Sequence, residues 1–287
     1  MVAAAELVMR LTFYTYSYID RLRLEPSEVL PLVAQAGYDG IDLSATWRSD
    51  DDPGCYPAER RWEIRRLCDE LGLTLEALVT HLPLVDSLRE GLPLNLVGAV
   101  DLAVELRCPL VTVHVGQRRD GCAPGEPGPD WSRAVAHLEE VAEYGQEHGV
   151  RLATDATYPT YMTADPEDVL RLLTDVDHPN LGHNFDPCYL EATGYRASSA
   201  IQLLGPRILH AHIKDYVGRY PAFEHRIPGQ GVLHHGSWAH ALQAGGFDGA
   251  VAVECFTDMP LQDALEVGYR TVSRALDGVG ARPLPAP

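Results

Sequence analysis

Nowhere in its 287 residues does this chain carry an apolar run long enough to cross a bilayer, which argues against a membrane-spanning helix. Its six cysteines (Cys55, Cys68, Cys108, Cys122, Cys188 and Cys255) are scattered, and none forms a C-x-x-C pair. Reduced thiols in a cytosolic enzyme are the simplest reading, with Cys68 and Cys108 as packing residues. Basic residues are scarce: 23 Lys and Arg stand against 41 Asp and Glu, a net charge of −18. So acidic a protein is repelled by phosphate backbones, which makes nucleic acid a poor partner unless a metal cluster supplies local positive charge. Met1–Met9 lacks an early basic region and runs directly into a strand, so no secretory signal is read there and a cytoplasmic location is expected.

What is present is enough apolar material for a full core: 46% of residues are hydrophobic and 22% charged. One large domain over 1–287 is expected, with 1–9 and 280–287 as flexible ends and a disordered Pro-rich tail at Arg282–Pro287. Apolar β-prone segments alternate with segments of helical spacing along the whole chain. Leu11–Tyr18, Tyr38–Leu43, Leu73–His81 and Leu110–Val115 read as the first strands, then Val150–Asp155, Leu181–Asp186, Ile208–His212 and Ala250–Cys255. Between them Val29–Ala36, Pro57–Leu71, Asn95–Leu106 and Trp131–His148 read as helices, several stopping at a glycine. Pro166–Leu173, Ser198–Leu204, Trp238–Ala244 and Leu261–Leu276 continue the pattern, and the segment between His212 and Trp238 reads as a long loop. Such alternation implies parallel strands with helical crossovers, and eight units without a break favour a closed (β/α)8 TIM barrel. An open sheet is the alternative, but the first unit has no G-x-G-x-x-G turn.

The stretch Ile208–Tyr216 carries the densest chemistry. On a strand His210, His212 and Lys214 project to one side, and Leu209, Ala211 and Ile213 to the other, with Asp215 just beyond. A buried strand gains nothing from so many ionisable groups unless they are paired, so a metal or an anionic substrate is expected at its end. His210 has a plainer alternative as a core histidine bonded to a backbone carbonyl. In a barrel the chemistry sits at the C-terminal ends of the strands. Those ends read His81, His114, Asp155, Asp186, His212 and Glu254. Asp155, Asp186, His212 and Glu254 fall on four consecutive strands and form a hard, mostly oxygen donor set. That set suits a divalent metal, Mn²⁺ first, with Mg²⁺, Co²⁺ or Zn²⁺ as alternatives. Asp155 has a second reading as a helix cap before Thr157.

At these residues the chain resembles the sugar phosphate isomerase/epimerase family, the xylose isomerase-like TIM barrels, over roughly Leu11–Leu276. Gly37–Asp42 is similar to the family's second-strand motif, where glutamate is more usual than Asp42. Val150–Asp155 resembles the strand that ends in a metal-binding glutamate, and Leu181–Asp186 the strand with the metal aspartate. His210–Asp215 resembles the H-x-H-x-K-D strand, whose second histidine is a ligand; Pro228–Gly231 resembles the P-G-E-G loop, and Gly246–Glu254 the last strand. Three departures stand out: Asp155 in place of glutamate, Gln230 in place of the loop acid, and Tyr189 where a substrate- or metal-touching histidine is frequent.

The resemblance implies metal ligation by Asp155, Asp186, His212 and Glu254, with Glu254 and Asp155 as the proton-transfer pair. It implies an enediolate intermediate and a small carbohydrate or cyclitol as substrate. Arg226 resembles an arginine that holds substrate oxygens. Lys214 is expected either to orient a hydroxyl or phosphate or to pair with Asp215 or Glu224, and His81, His114 and Tyr189 are further candidates for substrate contact. Trp47, Tyr14 and Tyr16 are candidates for an apolar wall beneath a sugar ring. The expected activity is isomerase or epimerase. A lyase acting on a keto-cyclitol, dehydroshikimate or a 3-keto-glycoside is the alternative, since it shares the intermediate. An abasic-site-type endonuclease or a non-catalytic sugar-binding relative ranks below both. Homo-oligomers occur among similar barrels, but no interface stripe marks one here.

Overall fold

The computed structural model describes residues 8–45, 56–81, 83–85, 88, 96–117, 121–122, 128–155 and 158–281. Trp47, Thr157 and the tail 282–287 lie outside them. Short apolar segments form β1 (Arg10–Tyr14), β2 (Gly40–Ser44), β3 (Thr74–Thr80), β4 (Leu110–His114) and β5 (Arg151–Asp155). They continue with β6 (Leu181–Phe185), β7 (Ile208–Ile213), β8 (Asp215–Arg219), β9 (Ala222–Arg226) and β10 (Ala250–Val253). Eight of these close into a barrel in the order β1-β10-β7-β6-β5-β4-β3-β2, every neighbour parallel. The fold is therefore the (β/α)8 TIM barrel that the alternation implies.

Helices α1 (Pro26–Gln35), α2 (Ala58–Leu71), α3 (Leu96–Leu106), α4 (Pro129–His148) and α5 (Pro166–Val176) follow the first five strands on the outside. The remaining turns are α6 (Pro187–Ala192), α7 (Ala197–Leu204), α8 (His235–Ala244) and α9 (Leu261–Asp277). Local sequence fixes several ends. Glu25 and Glu28 form a reciprocal capping box at α1 with Pro26 in the first turn, and α4 stops at Gly149, whose φ of 73° suits glycine. On α4, Trp131, Ala134, Leu138, Val141 and Ala142 recur at helical spacing and are buried. A fully buried leucine such as Leu138 contributes roughly 1.5–3 kcal/mol relative to exposure.

One expectation is corrected. The segment after His212 is not simply a loop: β8 and β9 form an antiparallel hairpin standing on the mouth of the barrel. Its strand Ala222–Arg226 is largely solvated, so it lacks the apolar alternation by which strands are read. At the edges of the described residues Met9 is fully buried, and its N–H donates to Ala281 O at 2.8 Å.

After β1 the chain makes one π-helical turn, Ser17–Arg21, which carries Asp20. The Asp20 Oδ1 accepts from the Tyr56 hydroxyl at 3.2 Å, whereas Oδ2 is buried without a hydrogen-bond partner among the described residues. Burial lifts this carboxyl to about 7 against the pull of Tyr56 and Arg60. A carboxyl raised in the folded state favours folding below its unfolded value near 4, and that advantage is lost as pH rises through 7. Asp20→Asn is therefore expected to stabilise the protein by about 2–4 kcal/mol at pH 8 and to have little effect at pH 4, read from urea midpoints.

Candidate functional site

Strand β7 brings the alternating residues of Ile208–Tyr216 to the barrel axis. His210, His212 and Lys214 are all buried, at 1%, 2% and 3% exposure, so each needs a partner. His210 finds it in a carboxylate instead of a backbone carbonyl: the Asp42 Oδ2 accepts from His210 Nε2 at 2.7 Å and from His212 Nε2 at 2.9 Å. Asp42 lies on β2, across the barrel from β7. Burial opposes its charge, but the two imidazoles hold its carboxyl down at about 2. With Nε2 committed to Asp42, the other nitrogen of His212 faces the mouth, where Nδ1 lies 3.2 Å from Glu254 Oε2. Burial alone depresses the His212 imidazole; its bonds to Asp42 and Glu254 lift it to about 10.

Above His212 stands Lys214, the only lysine among the chain's 23 Lys and Arg residues. Its ammonium is 2.7 Å from Asp186 Oδ2 and 2.6 Å from Glu254 Oε2, so the expected pairing with Asp215 or Glu224 is corrected. Glu254 follows β10 and Asp186 follows β6, strands that flank β7 on either side. Burial raises Asp186 to about 6 despite Lys214, whereas Glu254, although buried, is held far below the carboxylate range by Lys214 and His212. The difference has a plain cause: Glu254 faces two cations and Asp186 faces one.

Three of the four expected ligands, Asp186, His212 and Glu254, thus meet in one place. Asp155 is on the same rim but is held by Asn184, whose Nδ2 donates to Asp155 Oδ1 at 3.0 Å. Beside it are buried polar atoms with no partner among the described residues, His114 Nδ1 and Asn184 Oδ1. Native proteins rarely leave such atoms unmatched, so this side of the mouth suits a polar ligand. His81 accepts from the Tyr14 hydroxyl at Nε2 (2.5 Å) and packs on Tyr16 at 4.5 Å between ring centroids. Burial lowers His81 to about 4 and lowers His114 as well, so both rings are neutral near pH 7. The ring of Tyr189 covers Lys214 at 4.6 Å and touches His225 at 5.2 Å. Arg226 turns outward, 38% exposed, and pairs with Glu224 at 2.6 Å.

Sequence reading missed Asp42 as the partner of both histidines and His225 as the imidazole beside Tyr189. It also missed the role of Asp215, which folds the loop above the mouth. Its two oxygens accept from the N–H groups of Tyr216, Gly229, Gly231 and Leu233, and from His235 Nε2, at 2.8–3.2 Å. A Cβ on Gly231 would meet Asp215 Oδ1 at 2.2 Å, which is why glycine stands there. Asp215→Asn turns an amide toward those N–H groups. It is expected to cost about 1–3 kcal/mol and to speed amide exchange across 227–233, measured by hydrogen–deuterium exchange.

The donor types at the mouth are those a divalent ion takes. Asp186 Oδ2 and Glu254 Oε2 are two hard oxygens on the Lys214 ammonium, and His212 Nδ1 is an oriented imidazole nitrogen beside Glu254 Oε2. Among the described residues, Asp42, His210 and His212 are the cluster whose ligand atoms all lie within 4.8 Å of one another, an arrangement able to hold a cation. The direct hydrogen bonds from both imidazoles to one Asp42 oxygen favour Asp42 as the residue that orients His212. A cleft of about 340 Å³ bounded by Arg65, Glu76 and Arg107 lies at the opposite end of the strands, away from these acids. No helix among the described residues is long and apolar enough to cross a membrane.

Comparison with known proteins bears on the fold and the family. A 3-dehydroshikimate dehydratase of Pseudomonas aeruginosa is 26% identical over 88% of this chain and 38% of its own length. A fructoselysine 3-epimerase of Escherichia coli O157:H7 is 28% identical over 46% of this chain and 48% of its own. The chain spans about half or less of the length of these curated relatives. Among solved structures, an L-ribulose 3-epimerase superposes with a TM-score of 0.75 at 17% identity, covering 95% of this chain and 96% of that one. The model of one family, the xylose isomerase-like TIM barrel, matches residues 30–276, and the chain belongs to that family.

Proposed function

We propose that this protein moves a proton at the carbon next to a carbonyl in a small sugar, keto-sugar or cyclitol, yielding an isomer or epimer. The observation that carries the reading is the meeting of Asp186 and Glu254 on the buried Lys214 ammonium at the C-terminal rim, with His212 on Glu254, at contacts of 2.6–3.2 Å. Asp186 Oδ2, Glu254 Oε2 and His212 Nδ1 are the atoms that would hold a divalent ion, Mn²⁺ or Mg²⁺, with Asp155 as the fourth candidate. Such an ion, when bound, supplies Lewis acidity toward the carbonyl oxygen.

The chain's own residues do the rest. Both ion contacts of Glu254 use Oε2, which leaves Oε1 for taking and returning the proton. Asp155 sits on β5, three positions from β10 around the eight-strand ring, so it approaches a bound substrate from another side. That placement suits the partner acid an epimerisation needs. His81 and His114, kept neutral by burial, offer a donor and an acceptor to hydroxyl groups without adding charge. Tyr14 and Tyr16, stacked at 6.0 Å, form an apolar wall beside them.

A second reading, loss of water from a keto-cyclitol or dehydroshikimate, is favoured by the long alignment to a 3-dehydroshikimate dehydratase. The first proton transfer is common to both. Incubation with Mn²⁺ and a panel of ketoses, inososes and keto-acids in D₂O tests them together. Deuterium at a carbon-bound position supports the shared step; isomers then identify the first reading and an enone absorbance the second. No incorporation with any substrate, in protein shown to hold metal, would sink both.

A further inference from the structure

Every surface position that needs a positive charge in this chain uses arginine, and the single lysine is buried at the barrel mouth. Arginine is planar and wide, whereas lysine ends in a compact ammonium that fits between two carboxylates. Lys214 does so, 2.7 Å from Asp186 Oδ2 and 2.6 Å from Glu254 Oε2. These are the same oxygens assigned above to a divalent ion. Asp186 has no spare one, because its Oδ1 accepts from the Cys188 N–H at 2.8 Å and caps α6. An ammonium and a divalent ion drawn to one oxygen pair repel each other strongly in so dry a site. The ammonium also rests against two aromatic rings, its Nζ 4.6 Å from the centre of the Tyr189 ring and 5.5 Å from that of Phe256, which can keep it when the carboxylates are taken by another cation. Phe256 is 40% exposed, so this pair of rings faces the entrance where substrate arrives.

We infer that Lys214 is a tethered cation that holds Asp186 and Glu254 apart from metal, is displaced by the incoming divalent ion, and then rests on the ring of Tyr189 as the positive charge offered to a substrate oxygen. The inference rests on the metal reading above and adds the exchange of one cation for the other. It gives the singular lysine two roles. It neutralises two buried carboxylates that otherwise weaken the fold, and it leaves the loaded mouth with a positive charge to spare.

The only lysine is its own probe. Protein grown on lysine labelled with ¹³C at Cε shows one lysine cross-peak, and Mg²⁺ titration follows it without a paramagnetic effect. The peak is expected to move upfield, into the ring current of Tyr189, and to saturate together with metal binding; in Tyr189→Leu the upfield shift is lost. Lys214→Met, checked for folding by circular dichroism, is expected to bind Mn²⁺ at least about tenfold more tightly than wild type by calorimetry. Metal uptake with an unmoved lysine peak, or with no gain in affinity for Lys214→Met, overturns the exchange and leaves the metal reading standing. Failure of both proteins to take up millimolar Mn²⁺ overturns the two together.

Discussion

Glu254→Gln is expected to slow deuterium incorporation from solvent by about 10²–10⁴-fold, the usual contribution of a positioned acid or base. The substitution is nearly isosteric and keeps an oxygen for Lys214 and His212, which now meet Glu254 at 2.6 and 3.2 Å. It removes the capacity to accept a proton together with the negative charge, and leaves a neutral oxygen in the same place. Metal uptake measured by calorimetry should therefore fall far less than the rate. Exchange at near-normal rates would assign the proton to another group, with Asp155 next in line. Exchange and metal lost in equal proportion would make Glu254 a ligand and nothing more. The carboxylate is well suited to remain ionised, since two cations hold it below its ordinary range despite full burial.

Much of this arrangement is written locally in the chain. Period-2 alternation is a property of neighbouring residues, so His210, His212 and Lys214 can be placed on one face from Ile208–Tyr216 alone. The rule that barrels work at their strand ends then points to Asp186 and Glu254 without any knowledge of distances. Asp42 escapes that logic. Its contacts with His210 and His212 span 168 and 170 residues, and nothing near Gly40–Ser44 advertises a partner on β7. The hairpin β8–β9 escapes for the opposite reason, because solvated strands show no apolar period. Lys214 lies between these cases. Its face was legible, and a count of lysines marks it as singular, but its choice of Asp186 and Glu254 over the adjacent Asp215 depends on the closed barrel. Asp215 was unavailable to it, with both oxygens already committed to the loop above.

The second large effect is expected at Asp42. Asparagine there preserves shape, so no cavity opens, yet it replaces an anion that two imidazoles share by an amide with only one acceptor oxygen. The amide oxygen can take the place of Oδ2, but the negative charge that the two imidazoles face is gone, inside a region with no exposure to water, Asp42 itself being 0% exposed. Removing one partner of a buried charged cluster costs about 3–5 kcal/mol, and Asp42→Asn should lower the urea midpoint accordingly with an unchanged slope. A separate consequence follows for His212, whose Nδ1 points at Glu254 because Nε2 is fixed from behind. Loss of such an orienting carboxylate typically weakens metal binding by about 10–100-fold. Glu224→Gln, which alters an exposed ion pair on the hairpin, serves as the control and should change neither quantity appreciably. If Asp42→Asn lost stability but kept full metal affinity, Asp42 would be a structural counter-ion for His210, and the orientation of His212 would have to come from β7 itself.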